Sequence, residues 1–259
     1  PGHTSMPECL TAAHHLLLAH GRAVPVIREA APGCRVGIVL NFTPVVPRSD
    51  DPADVAEAEL TDDFENRWYV DPIGGAGYPE RSVERLGWAR HEVHAGDMEA
   101  IATPIDVLGV NYYSRQIIQA GDESVDPLLP VTAMGWEIYP TGLSETLERV
   151  HAEHGFASYA ITENGAAFDD VPGPDGVVDD EDRIAYLADH LIELAGVIER
   201  GVPVEGYFAW SFLDNFEWAW GYDKRFGIVR VDYDTLERIP KASARFYADV
   251  IRTGVVRAP

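Results

Sequence analysis

The sequence predicts an α/β fold built on parallel strands, and three observations carry that expectation. Short apolar runs of strand length alternate along the chain with longer segments whose apolar residues recur at helical spacing. The clearest runs are apolar without alternation, as strands covered on both faces by helices are. No repeat, low-complexity tract or Ser/Gly-rich linker divides the 259 residues, so positions 1–259 read as one unit.

The elements follow in order. Leu10, Ala13, Leu17 and Leu18 recur with helical spacing in a segment running towards Glu29, with Pro25 placed to kink or interrupt it. Gly33 leads into a strand from Arg35 to Asn41 whose continuous apolar run suits burial on both faces. A helix follows with Ala56, Leu60, Phe64 and Trp68 on one face, and Ile105 to Val110 forms a second strand ending in Asn111-Tyr112-Tyr113. Thr141 is placed to cap a helix carrying Leu143, Leu147 and Val150 inward and stopping near Gly155. Tyr159 to Thr162 is the third strand. Ile184, Leu187, Leu191, Leu194 and Ile198 mark a long amphipathic helix with Gly201 just past its end, and Val204 to Ser211 is the fourth strand. A last helix runs from about Lys241 to Ile251.

Such alternation builds either an open doubly wound sheet or a (β/α)8 barrel. A whole barrel takes about 250 residues but needs eight strands. Four strands fit half a barrel.

Composition narrows the partners. A formal charge of −23 opposes binding to nucleic acid or to an anionic membrane surface, because both repel it. No stretch reaches the length of a membrane span. Two cysteines, Cys9 and Cys34, lack metal-ligand spacing and read as buried small hydrophobes in a reducing cytoplasm.

Reactive groups of parallel α/β folds gather at the C-terminal ends of strands. Standing there are Asn41, then Asn111 and Tyr113, then Glu163 and Asn164, then Trp210 and Ser211. A carboxylate ending an apolar strand is costly unless partnered, which singles out Glu163. The competing reading is an exposed loop acid beside the turn signal Asn164-Gly165. After the fourth strand, Trp210 to Asp223 interleaves tryptophans with Asp214 and Glu217. Ring faces there suit sugar C–H groups and the carboxylates suit hydroxyls, unless the loop is only an apolar lid. Only some of His14, His15 and His20 share a helical face and no acidic ligand neighbours them in sequence, so no metal is expected at them. The run Asp179 to Asp182 lacks a calcium-loop pattern and reads as a helix start. No phosphate-cradling glycine loop and no nucleophile-elbow serine is present, and no cofactor is expected.

Three motifs now carry a resemblance. Ile161-Thr-Glu-Asn-Gly165 is similar to the nucleophile motif of glycoside hydrolase family 1, Gly109-Val-Asn-Tyr-Tyr113 resembles its sixth-strand motif, and Trp210 to Trp218 resembles its glycone-binding motif. Further similar segments are Ala12 to Leu16, Gly37 to Asn41, Met134 to Pro140 and Gly221 to Ile228, so the resemblance spans essentially the whole chain. It implies a retaining β-glycosidase, first of all a β-glucosidase, acting on β-glucosides or oligosaccharides. Glu163 is implied as nucleophile and Tyr113 as the hydroxyl that orients it. Glu217 and Trp218 are implied to bind the hydroxyls of the sugar and Trp210 to floor its subsite. Asn111 is implied beside the catalytic pair, Trp136 in the leaving-group subsite and Phe226 at the glycone pocket.

One departure matters. The family's acid/base glutamate sits in Thr-x-Asn-Glu-Pro at the end of the fourth barrel strand, and this sequence contains no Asn-Glu-Pro. Pro1-Gly2 is similar to the Pro-Gly following that motif. The resemblance therefore implies strands five to eight of a (β/α)8 barrel, with the N-terminal half outside this chain: either the molecule is split, naturally or by design, or this sequence is part of a longer protein. A half-barrel is expected to need a second chain carrying that half, or self-association, to cover its open edges. The alternatives are a catalytically silent carbohydrate-binding half-barrel, a broad β-galactosidase or β-fucosidase, or an unrelated metal-dependent hydrolase.

Overall fold

A computed structural model describes residues 2–88, 93–122, 125–174 and 176–257; Pro1 lies outside them. The elements run α1 (Met6–Ala30), β1 (Gly37–Phe42), β2 (Val45–Pro47), α2 (Pro52–Asp62), a π turn (Asp63–Arg67), α3 (Trp68–Ile73), α4 (Glu80–Arg85), α5 (Asp97–Ile101), β3 (Val107–Tyr112) and β4 (Gln116–Ile118). They continue with α6 (Thr141–His154), β5 (Tyr159–Asn164), α7 (Glu181–Glu199), β6 (Val204–Ala209), a 3-10 turn (Trp218–Trp220), β7 (Val229–Val231), β8 (Arg238–Pro240) and α8 (Ala242–Thr253). The four long strands form one sheet in the order β1-β3-β5-β6, and β2-β4 and β7-β8 form small two-stranded sheets. Among the described residues no helix is long and apolar enough to cross a membrane.

The chain divides into two compact units: Pro1–Val110 with Gln116–Val125 and Arg149–Ala160, and Asn111–Arg115 with Asp126–Glu148 and Ile161–Pro259. In the first, α1 buries Leu10, Ala13, Leu17 and Val24. Its aromatic core places Trp68 4.7 Å from Tyr78 and 5.1 Å from Trp88, ring centre to ring centre. Burying side chains of this size stabilises by about 1.5–3 kcal/mol each. In the second, Tyr186 and Leu187 of α7 pack with Ala166, Ile228 and Val229.

All four expected strands form, with differences that have physical causes. β3 is buried almost throughout, whereas β1 alternates and leaves Val39 49% exposed, and β6 leaves Phe208 59% exposed. Both are the end strands of their sheet, while β5, in the middle with β3, alternates between buried and half-buried residues. Pro25 does not interrupt α1: it sits on the exposed side, while Val24 and Gly21 hold the helix inward. A Cβ on Gly21 would meet the Ala100 carbonyl oxygen at 2.0 Å, so α1 needs glycine there. Of the expected face, Trp68 is fully buried and Leu60 and Phe64 are half-buried, but the face does not continue to Ala56, because the π turn shifts the helical phase. Asp54, Ala58, Asp63 and Asn66 point inward instead and Ala56 is exposed.

Thr141 is the first residue of α6 rather than its cap, while Leu143, Leu147 and Val150 are buried as expected. Gly155, at φ +61°, ends the helix. On α7 the buried position is Val197, and Ile198 is 47% exposed. Cys9 is exposed and Cys34 half-buried, because α1 turns Leu10 and Ala13 inward and leaves the neighbouring Cys9 outside. Asp180 precedes α7 but makes no side-chain cap; it accepts from Ser243 and pairs with Arg183.

Candidate active site

Asn111, Tyr113, Trp136, Glu163, Trp210, Glu217, Trp218 and Phe226 all lie in the second unit. β5 runs on past Thr162, so Glu163 and Asn164 are its last two residues. The Tyr113 hydroxyl, just after β3, donates to Glu163 Oε2. Burial first, and then the hydrogen bond and charge of Glu163, push the Tyr113 phenol far above its ordinary pKa. Tyr113 is therefore a permanent donor, and it holds one carboxylate oxygen of Glu163 in place.

The strand ends around this pair are fixed by Asn164, which is fully buried. Its Nδ2 donates to the Tyr112 carbonyl at 2.9 Å and to the Tyr186 hydroxyl at 3.0 Å, and its Oδ1 accepts from Tyr207 at 2.7 Å. The Tyr186 hydroxyl donates in turn to the Tyr113 carbonyl at 3.1 Å. Gly165 lets β5 and β6 converge, since a Cβ there would lie 1.6 Å from the Trp210 carbonyl oxygen. Trp210 N–H donates to the Asn164 carbonyl at 2.9 Å, which sets half-buried Trp210 beside the end of β5. Asn111, mostly buried in β3, accepts from the Thr162 hydroxyl at 2.7 Å.

Aromatic side chains close around Tyr113. Trp136 lies 5.6 Å from its ring and Phe226 6.2 Å, and Trp136 and Phe226 are 6.1 Å apart. Trp136 is held there by Glu137, which accepts from Arg115 Nε at 2.6 Å, from Leu129 N–H at 2.9 Å and from Leu128 N–H. Burial acts to raise the Glu137 carboxyl, but Arg115 and the two amides outweigh it and hold it below the usual carboxylate range. Glu217 is half-buried and pushed up, by burial first and then by the negative charge of Glu163. Trp218 stands 83% exposed at φ +44° on the 3-10 turn.

The aromatic loop separates its two carboxylates. Asp214, read from sequence as a sugar-binding group alongside Glu217, is 4% exposed and committed elsewhere. It accepts from Arg225 at 2.6 Å, from Gly227 N–H at 3.0 Å and from Lys241 Nζ at 3.1 Å. Lys241 and Arg183 also bind Asp170, and Arg183 binds Asp180, so three cations balance three buried anions. Burial and the Arg183 charge lower the Lys241 ammonium against the pull of Asp170 and Asp214. Removing one member of such a cluster strands a buried charge at about 3–5 kcal/mol. Asn41 lies exposed within β1, in the first unit. His14 is tied to Tyr78 at 2.9 Å and faces Asp97, while its neighbour His15 is exposed. Tyr186, Tyr207 and Glu137 were missed by sequence reasoning; the one signal was a polar-tipped aromatic within the apolar face of α7.

A carboxylate fixed by a phenol, flanked by ring faces and a second carboxylate, suits attack on an electron-poor carbon of a hydroxylated ligand. The profile of glycosyl hydrolase family 1 matches residues 1–255. The chain is 42% identical over 97% of its length to "Beta-glucosidase A" of Thermotoga maritima, covering 58% of that protein. It is 38% identical to the "Bifunctional beta-D-glucosidase/beta-D-fucosidase" of Bifidobacterium breve, over 95% of this chain and 58% of the relative. The solved GH1 β-glucosidase of Exiguobacterium antarcticum superposes with a TM-score of 0.93 at 40% identity, over all of this chain and 60% of that one. The chain thus spans under two thirds of the relatives it matches, and its four-stranded parallel sheet is that of half a (β/α)8 barrel. With fold, motifs and profile in agreement along nearly its whole length, the chain belongs to glycosyl hydrolase family 1.

Proposed function

We propose that this chain supplies the nucleophile half of a retaining β-glucosidase. The observation that carries the reading is the Tyr113 hydroxyl donating to Glu163 at the C-terminal end of β5, which is how an oriented carboxylate nucleophile is held. Ionised Glu163 attacks the anomeric carbon of a terminal non-reducing β-glucosyl unit. The bond to the aglycone oxygen breaks, and that oxygen takes a proton from a second carboxylic acid. Water, deprotonated by the same second group, then opens the glycosyl ester on Glu163 and releases the sugar with its configuration retained. These steps use no metal or cofactor.

Glu217 and Trp218 take the hydroxyls of the sugar, Trp210 floors its ring, and Asn111 stands beside the reacting carboxylates. Trp136 lines the leaving-group side and Phe226 closes the glycone pocket. The second carboxyl comes from outside this sequence, which contains no Asn-Glu-Pro. Strands one to four of the barrel, with that carboxyl, are proposed to come from a second chain or from the rest of a longer one; self-association would cover edges without providing the acid. A reducing cytoplasm suits the two free thiols, Cys9 and Cys34. A second reading, a broad β-glycosidase that also takes fucosides, is favoured by the likeness to the bifunctional Bifidobacterium breve enzyme.

The test compares hydrolysis of cellobiose by this chain alone and with a complementing chain that carries Thr-x-Asn-Glu-Pro. Activity is expected only in the pair, and Glu163→Gln abolishes it. Turnover of cellobiose by the purified chain alone would overturn the division of roles.

A further inference from the structure

A cluster in the first unit, unrelated to Glu163, combines metal-ligand chemistry with buried polar atoms that have no hydrogen bond. α6 ends in Glu153 and His154, and Asp71 lies in α3. His154 Nε2 is 3.1 Å from Asp71 Oδ1 and 4.0 Å from Glu153 Oε2. The His154 side chain is 4% exposed, yet its Nε2 has no hydrogen-bond partner, and neither has the equally buried Asp71 Oδ1. Groups so deeply buried nearly always have a partner, and here two of them face each other out of alignment.

The remaining carboxylate oxygens are occupied from outside. Arg67 lies 3.4 Å from Asp71 Oδ2 and 2.6 Å from Glu153 Oε1, so one guanidinium orients both acids and leaves Oδ1 and Oε2 towards His154. Outer groups that fix carboxylates in this way are a regular feature of metal sites. The imidazole is positioned from behind by Gly74, where a Cβ would meet Nδ1 at 2.3 Å. The C-terminal end of α6 adds the negative pole of its dipole. Arg67 opposes a cation, but Asp62, 3.3 Å from Arg67 and paired with Arg149, joins Asp71 and Glu153. Three carboxylates then face two guanidinium groups.

We infer that Asp71 Oδ1, Glu153 Oε2 and His154 Nε2 form a binding site for a divalent cation of the zinc class. The three atoms lie within 4.8 Å of one another, and tetrahedral zinc with bonds near 2.0–2.1 Å spaces its ligands by about 3.3 Å. The 3.1 Å pair meets that spacing. Glu153, whose side chain is 35% exposed, closes the 4.0 Å gap by a small rotation. Its exposed side leaves the fourth position to water. One imidazole and two carboxylates suit zinc and its borderline neighbours, and offer calcium too few oxygens. The ion ties the end of α6 to α3 within the first unit. A metal-free histidine–carboxylate contact is the rival, and metal binding decides between them.

The protein as purified, with any chain that accompanies it, is stripped with chelator, then titrated with Zn2+ under native mass spectrometry and thermal melting, with Co2+ as a visible-absorbance probe of tetrahedral ligation. One tightly bound equivalent and a raised melting temperature are expected, with affinity at least about tenfold weaker in Glu153→Gln and in His154→Gln. No bound zinc, or unchanged affinity in both variants, overturns the site; the latter places the ion on surface histidines such as His15. Should His154→Gln fail to fold, Glu153→Gln decides alone, and unchanged affinity in it is fatal to the inference.

Discussion

Tyr113 shows how one side chain converts a strand-end acid into a working group. Its phenol is held protonated by burial and by Glu163, which keeps it a donor to Oε2. Tyr113→Phe is expected to lower kcat of the assembled enzyme about 10²-fold, as losing one preorganised donor does elsewhere, with KM little changed. Steady-state kinetics check this, and an unaltered kcat would remove Tyr113 from the support of the nucleophile. At this scale the sequence was legible where a residue type and its place on a strand coincided, as for Glu163 and Tyr113. It failed where two like residues share a loop. Asp214 and Glu217 are three positions apart in one aromatic stretch, and only tertiary partners distinguish them: Arg225 and Lys241 consume Asp214, while Glu217 stays half-buried beside the charge of Glu163. No local pattern announces a lysine arriving from position 241.

The junction of β5 and β6 is the element on which the site depends. Asn164 answers three buried polar groups at once, and the missing Cβ of Gly165 allows Trp210 to come close. Asn164→Ala leaves the Tyr112 carbonyl and the Tyr186 and Tyr207 hydroxyls short of partners. It should lower stability by about 3 kcal/mol, read from urea unfolding. A loss under about 1 kcal/mol would mean those groups find other partners. Elements were legible wherever periodicity was regular, as on α6 with Leu143, Leu147 and Val150. They were misjudged where backbone geometry shifted the phase, as at the π turn of Asp63–Arg67, or where neighbours decide burial, as for Val39 and Phe208 on the end strands.

At the scale of the molecule, acidity and a buried histidine set the response to pH. His190, fully buried, stacks on Tyr186 at 4.0 Å and donates from Nδ1 to the Tyr186 carbonyl at 2.7 Å. Burial lowers its pKa from 6.5 to about 4. Between those values the unfolded chain binds the proton and the folded chain refuses it, so stability falls as pH drops from 6.5 towards 4, by about 3 kcal/mol. Urea midpoints against pH should fall less steeply in His190→Phe than in the parent; equal slopes would contradict the assignment. The formal charge of −23 was plain from composition, but which histidines sit in the core, His14 and His190, was not. The central claim, that Glu163 is a glycosidase nucleophile, is tested most directly by covalent trapping. A 2-deoxy-2-fluoro-β-glucoside with a dinitrophenolate leaving group needs no acid to depart, so it probes Glu163 whatever provides the proton. The protein as purified, with any chain that accompanies it, should gain the mass of one fluoroglucosyl group, mapped by peptide sequencing to Glu163. An adduct on another residue, or none, would contradict the account.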